Sequence, residues 1–183
     1  MPGRRHSPVT TARDPGSVTA APHPLATIPA GSDRGLQRRR RLRLARTRLG
    51  LSVQTRLFPT GTARRRTRLH VCGAANTLTA LGVRVCVAGP TTPWPSNRYV
   101  ITNAPLSRLG ELAVVTVLRD ERVHAATEVP AGATVCPLAV RYRLEGEEGY
   151  LAADVIPTSL MTIAALRGLV VEVRLLPPVA PPA

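Results

Sequence analysis

The feature that most limits what this chain can fold into is the placement of its charge. Residues 1–68 hold 16 of the 25 basic side chains and only two acids, Asp14 and Asp33. Residues 69–183 balance nine arginines against nine carboxylates, so the whole formal charge of +14 sits on the first third of the chain. A segment that repels itself and carries little apolar surface does not offset its own chain entropy. The asymmetry predicts a basic arm on a near-neutral body. Every basic residue is Arg. Guanidinium groups pair phosphate in a bidentate way that ammonium cannot, but an all-Arg chain rich in Ala, Gly and Pro also follows from GC-rich coding.

Within the arm, residues 1–33 are rich in Pro, Ser, Thr, Ala and Gly and show no apolar periodicity, which predicts disorder. Residues 34–68 carry Arg38, Arg39, Arg40, Arg41 and Arg43, then Arg46 and Arg48. Leu36, Leu42, Leu44 and Leu49 interleave with them, as in a short basic amphipathic helix. These arginines are the candidate anion-binding residues of the arm.

From about residue 62 the pattern changes. Val71, Ala75, Leu78 and Gly82 fall on one helical face, and Gly82 suits the left-handed position that ends a helix. Val83–Val87 alternates with period two and predicts a strand, Tyr99–Thr102 a second. Leu106–Leu118 has helical spacing, and residues 122–131 suit a helical turn stopped near Pro130 and Gly132. Thr134–Arg143 predicts a third strand and Gly146–Gly149 a turn. A short helix follows Pro157, capped by Thr158 or Ser159. Leu169–Leu176 is the last strand, with Val171, Val173 and Leu175 on one side and Glu172 and Arg174 on the other, a pattern for a strand covered on one face. The fold class is therefore α/β: a small mixed sheet flanked by helices, preceded by a disordered basic arm. The expected division is an Arg-rich arm over 1–68, an α/β body over 69–178 and a Pro-rich tail over 179–183.

Several chemistries are disfavoured. Cys72, Cys86 and Cys136 are far apart, each in an apolar stretch, with no spacing for structural zinc; buried, reduced thiols are expected. His6, His23, His70 and His124 are isolated. The apolar run Leu109–Leu118 falls far short of the roughly 20 residues that cross a bilayer, and Arg4-Arg5 precedes no apolar segment of an export signal. Dinucleotide, P-loop, zinc-protease and nucleophile-elbow motifs are absent from the sequence. His124 with Cys136 is a conceivable nucleophile pair, but its apolar surroundings and lack of an orienting group favour two spectators. Neither a metal nor a cofactor is expected.

Three stretches of the body resemble one family, the bacterial 1-acylglycerol-3-phosphate acyltransferases and the related ornithine-lipid acyltransferases. Leu81-Gly82-Val83-Arg84-Val85-Cys86-Val87-Ala88-Gly89-Pro90 resembles the helix and strand leading into that family's active site. Tyr99-Val100-Ile101-Thr102-Asn103 is similar to the strand ending in Asn just before the catalytic His. Cys136–Arg143 with Arg167–Val173 resembles the domain's final strands. The resemblance implies an acyltransferase-like body over 69–178 acting on lysophospholipids. In that chemistry a His takes the acceptor hydroxyl's proton as general base, and an Asp five positions later orients the imidazole.

This chain departs from that pattern. After Asn103 the His position holds Ala104 or, with a one-residue insertion, Pro105, and the Asp position holds Leu109 or Gly110. Glu111 is near but has no base beside it. The family's Phe-Pro-Glu-Gly-Thr segment has no counterpart, although Arg119 after Thr116-Val117-Leu118 matches its upstream phosphate-binding Arg. Residues 42–58, where the family has an apolar membrane-associating helix, hold four arginines here. The expectation is a shortened, catalytically inactive relative that retains lipid affinity, cytoplasmic with a peripheral position at the inner membrane face. An anionic membrane surface or phospholipid is the expected partner. Acyl-CoA or acyl carrier protein enters only if the protein is active. The alternative is nucleic-acid binding through the arm, which needs no sequence preference but lacks aromatic side chains among the arginines to stack bases.

Overall fold

The computed structural model describes residues 34–57, 62–89, 93–102, 104–119, 121–147 and 149–179. The expected disorder of residues 1–33, the position of Asn103 and the last four residues of the tail lie outside the described residues. Along the rest, the elements are α1 (Arg34–Leu57), α2 (Ala63–Leu81), β1 (Arg84–Ala88), β2 (Tyr99–Thr102), α3 (Arg108–Leu118), β3 (Val123–His124), β4 (Val135–Leu144), α4 (Leu160–Ile163) and β5 (Leu169–Leu175). The body is α/β, with one mixed five-stranded sheet in the order β1-β5-β4-β2-β3.

Alternation within each strand sorts the sheet into two faces. β4 and β5 pair antiparallel, matching Leu144 with Leu169, Tyr142 with Val171 and Val140 with Val173. Leu138, Tyr142, Leu144, Leu169, Val171 and Val173 are all buried there and share one core with Leu78, Leu81, Leu109 and Ala113 of α2 and α3. The residues between them, Arg141, Arg143, Glu172 and Arg174, face the other way. On that side the Arg141 guanidinium lies over the Tyr150 ring, 4.9 Å from its centroid, and Tyr150 donates to Glu172 at 3.3 Å. β5 was expected to be covered on one face, but Val170, on the same side as Glu172 and Arg174, is buried as well, so the start of the strand is covered on both faces. β1 runs parallel to β5, while β2 runs parallel to both β4 and β3.

The helices follow local chemistry. Gly82 takes the left-handed conformation (φ 69°), and the Gly82 and Val83 amides donate to Thr79 and Leu78, both at 3.0 Å. This closes α2 as the glycine predicts. Ser107 caps α3 by accepting from the Gly110 amide at 3.2 Å, which satisfies one of the donors left free at a helix start. In place of a helical turn over 122–131, Val123–His124 joins the sheet beside β2, and only Ala126–Glu128 keeps a single 3-10 turn. The cause is tertiary, because Val123 pairs with the buried Val100. Ser159 precedes α4 without a side-chain cap bond. Val179 of the tail bridges to Val135.

Two expectations need correction. Residues 34–57, expected to hold a short basic amphipathic helix within a disordered arm, are one 24-residue helix packed on the body, and α2 already begins at Ala63. Leu44 is buried in the common core, and the Arg40 guanidinium donates to the Leu166 carbonyl at 2.6 Å. The boundary at residue 68 therefore does not separate arm from body. Secondly, only Cys136 is buried, while Cys72 and Cys86 are exposed. Cys72 lies outside the inward stripe of α2, and Cys86 sits on the outermost strand.

Candidate functional site

β2 delivers the chain to the place where the acyltransferase resemblance puts a base. Ala104 and Pro105 are exposed there and help line a cavity of only about 100 Å3 with Thr102, Leu106 and Tyr142. Ligand sites usually enclose roughly 300–1,000 Å3. Leu109 is fully buried in the core, so no carboxylate is tolerated in its place. Gly110 lies beneath Tyr142, where a Cβ would collide with the phenol oxygen. That oxygen bonds to Ser107 Oγ at 2.8 Å, and burial pushes the Tyr142 pKa up. Packing thus occupies both positions where the resemblance puts an orienting carboxylate, and among the described residues neither imidazole nor carboxylate lines this cavity.

One imidazole does touch a carboxylate nearby. His124 Nδ1 lies 3.5 Å from Glu128, and its ring meets Tyr99 edge-on at 5.1 Å. His124 pairs with Ile101 and so points to the sheet face opposite Val100 and Val123. Cys136 pairs with Val100 and is buried on the core side. The strand pleat therefore separates His124 from Cys136, and no nucleophile pair forms. Burial also raises the Cys136 pKa, away from the thiolate a nucleophile needs. Among the described residues no group of His, Cys, Asp and Glu is arranged to hold a metal ion.

The arginines of α1 divide by helical phase. Arg40 turns inward onto the carbonyls that follow α4, and burial, with Arg167 and Arg43 nearby, lowers its pKa. It is a structural cation and is withdrawn from the expected anion-binding set. Arg38, Arg39, Arg41 and Arg43 are exposed. Opposite the buried Leu44, with successive residues about 100° apart around the helix, α1 presents Leu42, Leu49 and Val53, exposed by 53%, 66% and 44%. Arg38, Arg39, Arg46 and Arg56 flank this stripe. α1 contains nine arginines and no acid.

A larger groove of about 850 Å3 runs between α2 and α3 toward β3. α2 contributes Arg66, Thr67 and His70, α3 contributes Glu111, Leu112 and Val115, and the turn into β3 contributes Arg119, Glu121 and Arg122. Arg119, expected as a phosphate ligand, is thus in a groove, although one lined by none of Ala104, Pro105, Leu109 and Gly110. Glu121 is held by Arg98, and Arg122 faces both Glu128 oxygens at 3.3 Å. His70 and Glu111 share the groove without an ion pair between them. Arg66, His70 and Arg122 escaped sequence reasoning because they converge only when α2 packs on α3. The one available signal was the helical spacing of Arg66 and His70.

Among the described residues no helix is long and apolar enough to cross a membrane. No protein-family model, curated protein or solved structure matches the chain.

Proposed function

We propose that this protein is a catalytically silent relative of the lysophospholipid acyltransferases that associates with anionic lipid surfaces. The observation that carries this reading is the outer face of α1, where Leu42, Leu49 and Val53 lie exposed between arginines. Such a helix lies in the membrane interface, its aliphatic side chains inserted and its guanidinium groups reaching the headgroups. Each Arg near an anionic leaflet contributes about 1 kcal/mol, and burying a Leu or Val adds roughly 1.5–3 kcal/mol. Nucleic acid would satisfy the arginines but leave the aliphatic stripe in water, and α1 has no aromatic side chain to stack on a base. What supports silence is the cavity after β2: among the described residues neither an imidazole nor a carboxylate lines it, and Gly110 is pinned under Tyr142 at one position where the resemblance puts an orienting carboxylate.

The test is co-sedimentation of the full chain with phosphatidylglycerol vesicles and with phosphatidylcholine vesicles, beside a DNA shift assay at matched salt. Binding to the anionic vesicles is expected, and the triple variant Leu42→Ser, Leu49→Ser, Val53→Ser should weaken it while remaining folded, keeping only a salt-sensitive part. Retention of DNA with no retention of vesicles would replace lipid by nucleic acid as the partner. Acyl transfer from acyl-CoA to lysophosphatidate should be undetectable, and turnover abolished by Glu111→Gln or His70→Gln would overturn the inactive assignment.

A further inference from the structure

Of the sheet's two outer edges, only one is guarded against further pairing. β3, at one end of the strand order, is two residues long and follows Arg122, which is paired with Glu128. β1, at the other end, runs for five residues, Arg84–Ala88. Its strand partner is β5, and among the described residues no backbone hydrogen bond reaches its outer side. Edge strands are usually protected by brevity, an inward charge, a proline or a bulge. Val85-Cys86-Val87 has no charge and no proline, and its register with β5 is unbroken. Val85 packs partly against the core, while Val87, beside the buried Val173, is still 56% exposed. The apolar surface of the sheet thus runs out to an open edge.

Charge and symmetry select the occupant. Residues 1–68 hold the whole net charge of +14, so two copies repel one another through α1. At β1 the charges cancel locally: Arg84 pairs with Glu145, and Arg174, the register partner of Ala88, faces Glu172 at 3.2 Å. An antiparallel copy related by a two-fold axis at Cys86 sets Val85 of one chain against Val87 of the other, and Arg84 against Ala88. Each exposed Val87 is then covered. The two Arg84 side chains stand at opposite ends of the seam, roughly 13 Å apart at the strand rise per residue. A parallel copy in register would instead stack one Arg84 on the other.

We propose that β1 is the contact through which two copies of this chain associate, joining their sheets edge to edge. The interface is isologous, the same five residues serving on both sides. An edge strand of this length buries well below the roughly 1,200–2,000 Å2 of a stable complex, so the dimer is weak and reversible. It uses neither the groove between α2 and α3 nor the outer face of α1.

Sedimentation equilibrium of the full chain, without lipid and under reducing conditions, should show monomer and dimer in exchange. Val87→Lys puts a charge into the seam at an exposed position. It should keep the thermal midpoint and raise the dissociation constant about ten-fold or more, as expected for losing a covered valine and desolvating an ammonium. Cys86→Lys, on the other face of the strand, should do the same, and the triple variant of α1 should dimerise like the parent. Register is read by trapping with diamide, which takes up the two thiol hydrogens as a disulfide forms. Opposed residues of an antiparallel pair have Cα atoms about 4.5–5.5 Å apart, within disulfide reach. Cys72→Ser should therefore be trapped as a covalent dimer through Cys86. In a Cys72→Ser, Cys86→Ser background, Arg84→Cys together with Ala88→Cys should cross-link, and Arg84→Cys alone should not. A monomer at every concentration up to about 1 mM, a dimer unaffected by both lysine variants, or trapping by Arg84→Cys alone as fast as by the pair would each overturn the proposal.

Discussion

At the scale of single residues, the clearest constraint is the contact between Gly110 and Tyr142. The phenol occupies the volume that any side chain at 110 would need, and its hydroxyl is satisfied by Ser107. Gly110→Ala is therefore expected to destabilise by about 1–3 kcal/mol through overpacking, measured by denaturant unfolding. Adding Tyr142→Phe should recover part of that loss, because it removes the colliding oxygen. The thiols give a second residue-level expectation. A thiol reagent should modify Cys72 and Cys86 in the folded protein and reach Cys136 only on unfolding. Burial holds Cys136 and Tyr142 in their neutral forms and raises both pKa values. Their contribution to stability is full below the unfolded values, about 8.5 and 10, and is lost as pH rises through the higher folded ones. Denaturation midpoints should accordingly fall above about pH 8.5, and Cys136→Ala should flatten the first part of that fall.

At the scale of elements, strands and helix ends could be read from local pattern. Period-two alternation located β1 and β5 within a residue or two, and Gly82 marked the end of α2. β3 could not be read this way, since two residues carry no periodicity and the strand exists only because Val100 offers a partner. The larger error concerned α1. Nine arginines suggested a short amphipathic helix in a detached arm, yet the stripe Arg40, Leu44 and Leu51 packs onto the body while the remaining charge faces water. Average charge misled because burial depends on helical phase. If α1 belongs to the body, Leu44→Ala should cost about 2–5 kcal/mol, as for a well-packed core leucine. A disordered arm would make the same change neutral, and thermal or denaturant unfolding decides between them.

At the scale of the whole molecule, charge and apolar surface combine. The proposed association with anionic vesicles should fall steeply with salt, because exposed charges are screened within about 8–10 Å at 0.1–0.15 M. The aliphatic stripe should leave a residual that salt does not remove. Vesicle binding across 0.05–0.5 M salt should thus decline to a plateau, and the triple variant of α1 should decline to zero.

The order of residues alone was enough to locate the charge, to outline an α/β body and to reveal that no base follows β2, since each depends on residue identity or on neighbours a few positions apart. The groove, the inward turn of Arg40, the strand order and the filling of position 110 by Tyr142 rest on residues tens of positions apart. They arise from which apolar faces meet and bury one another, and a linear pattern holds no record of that choice.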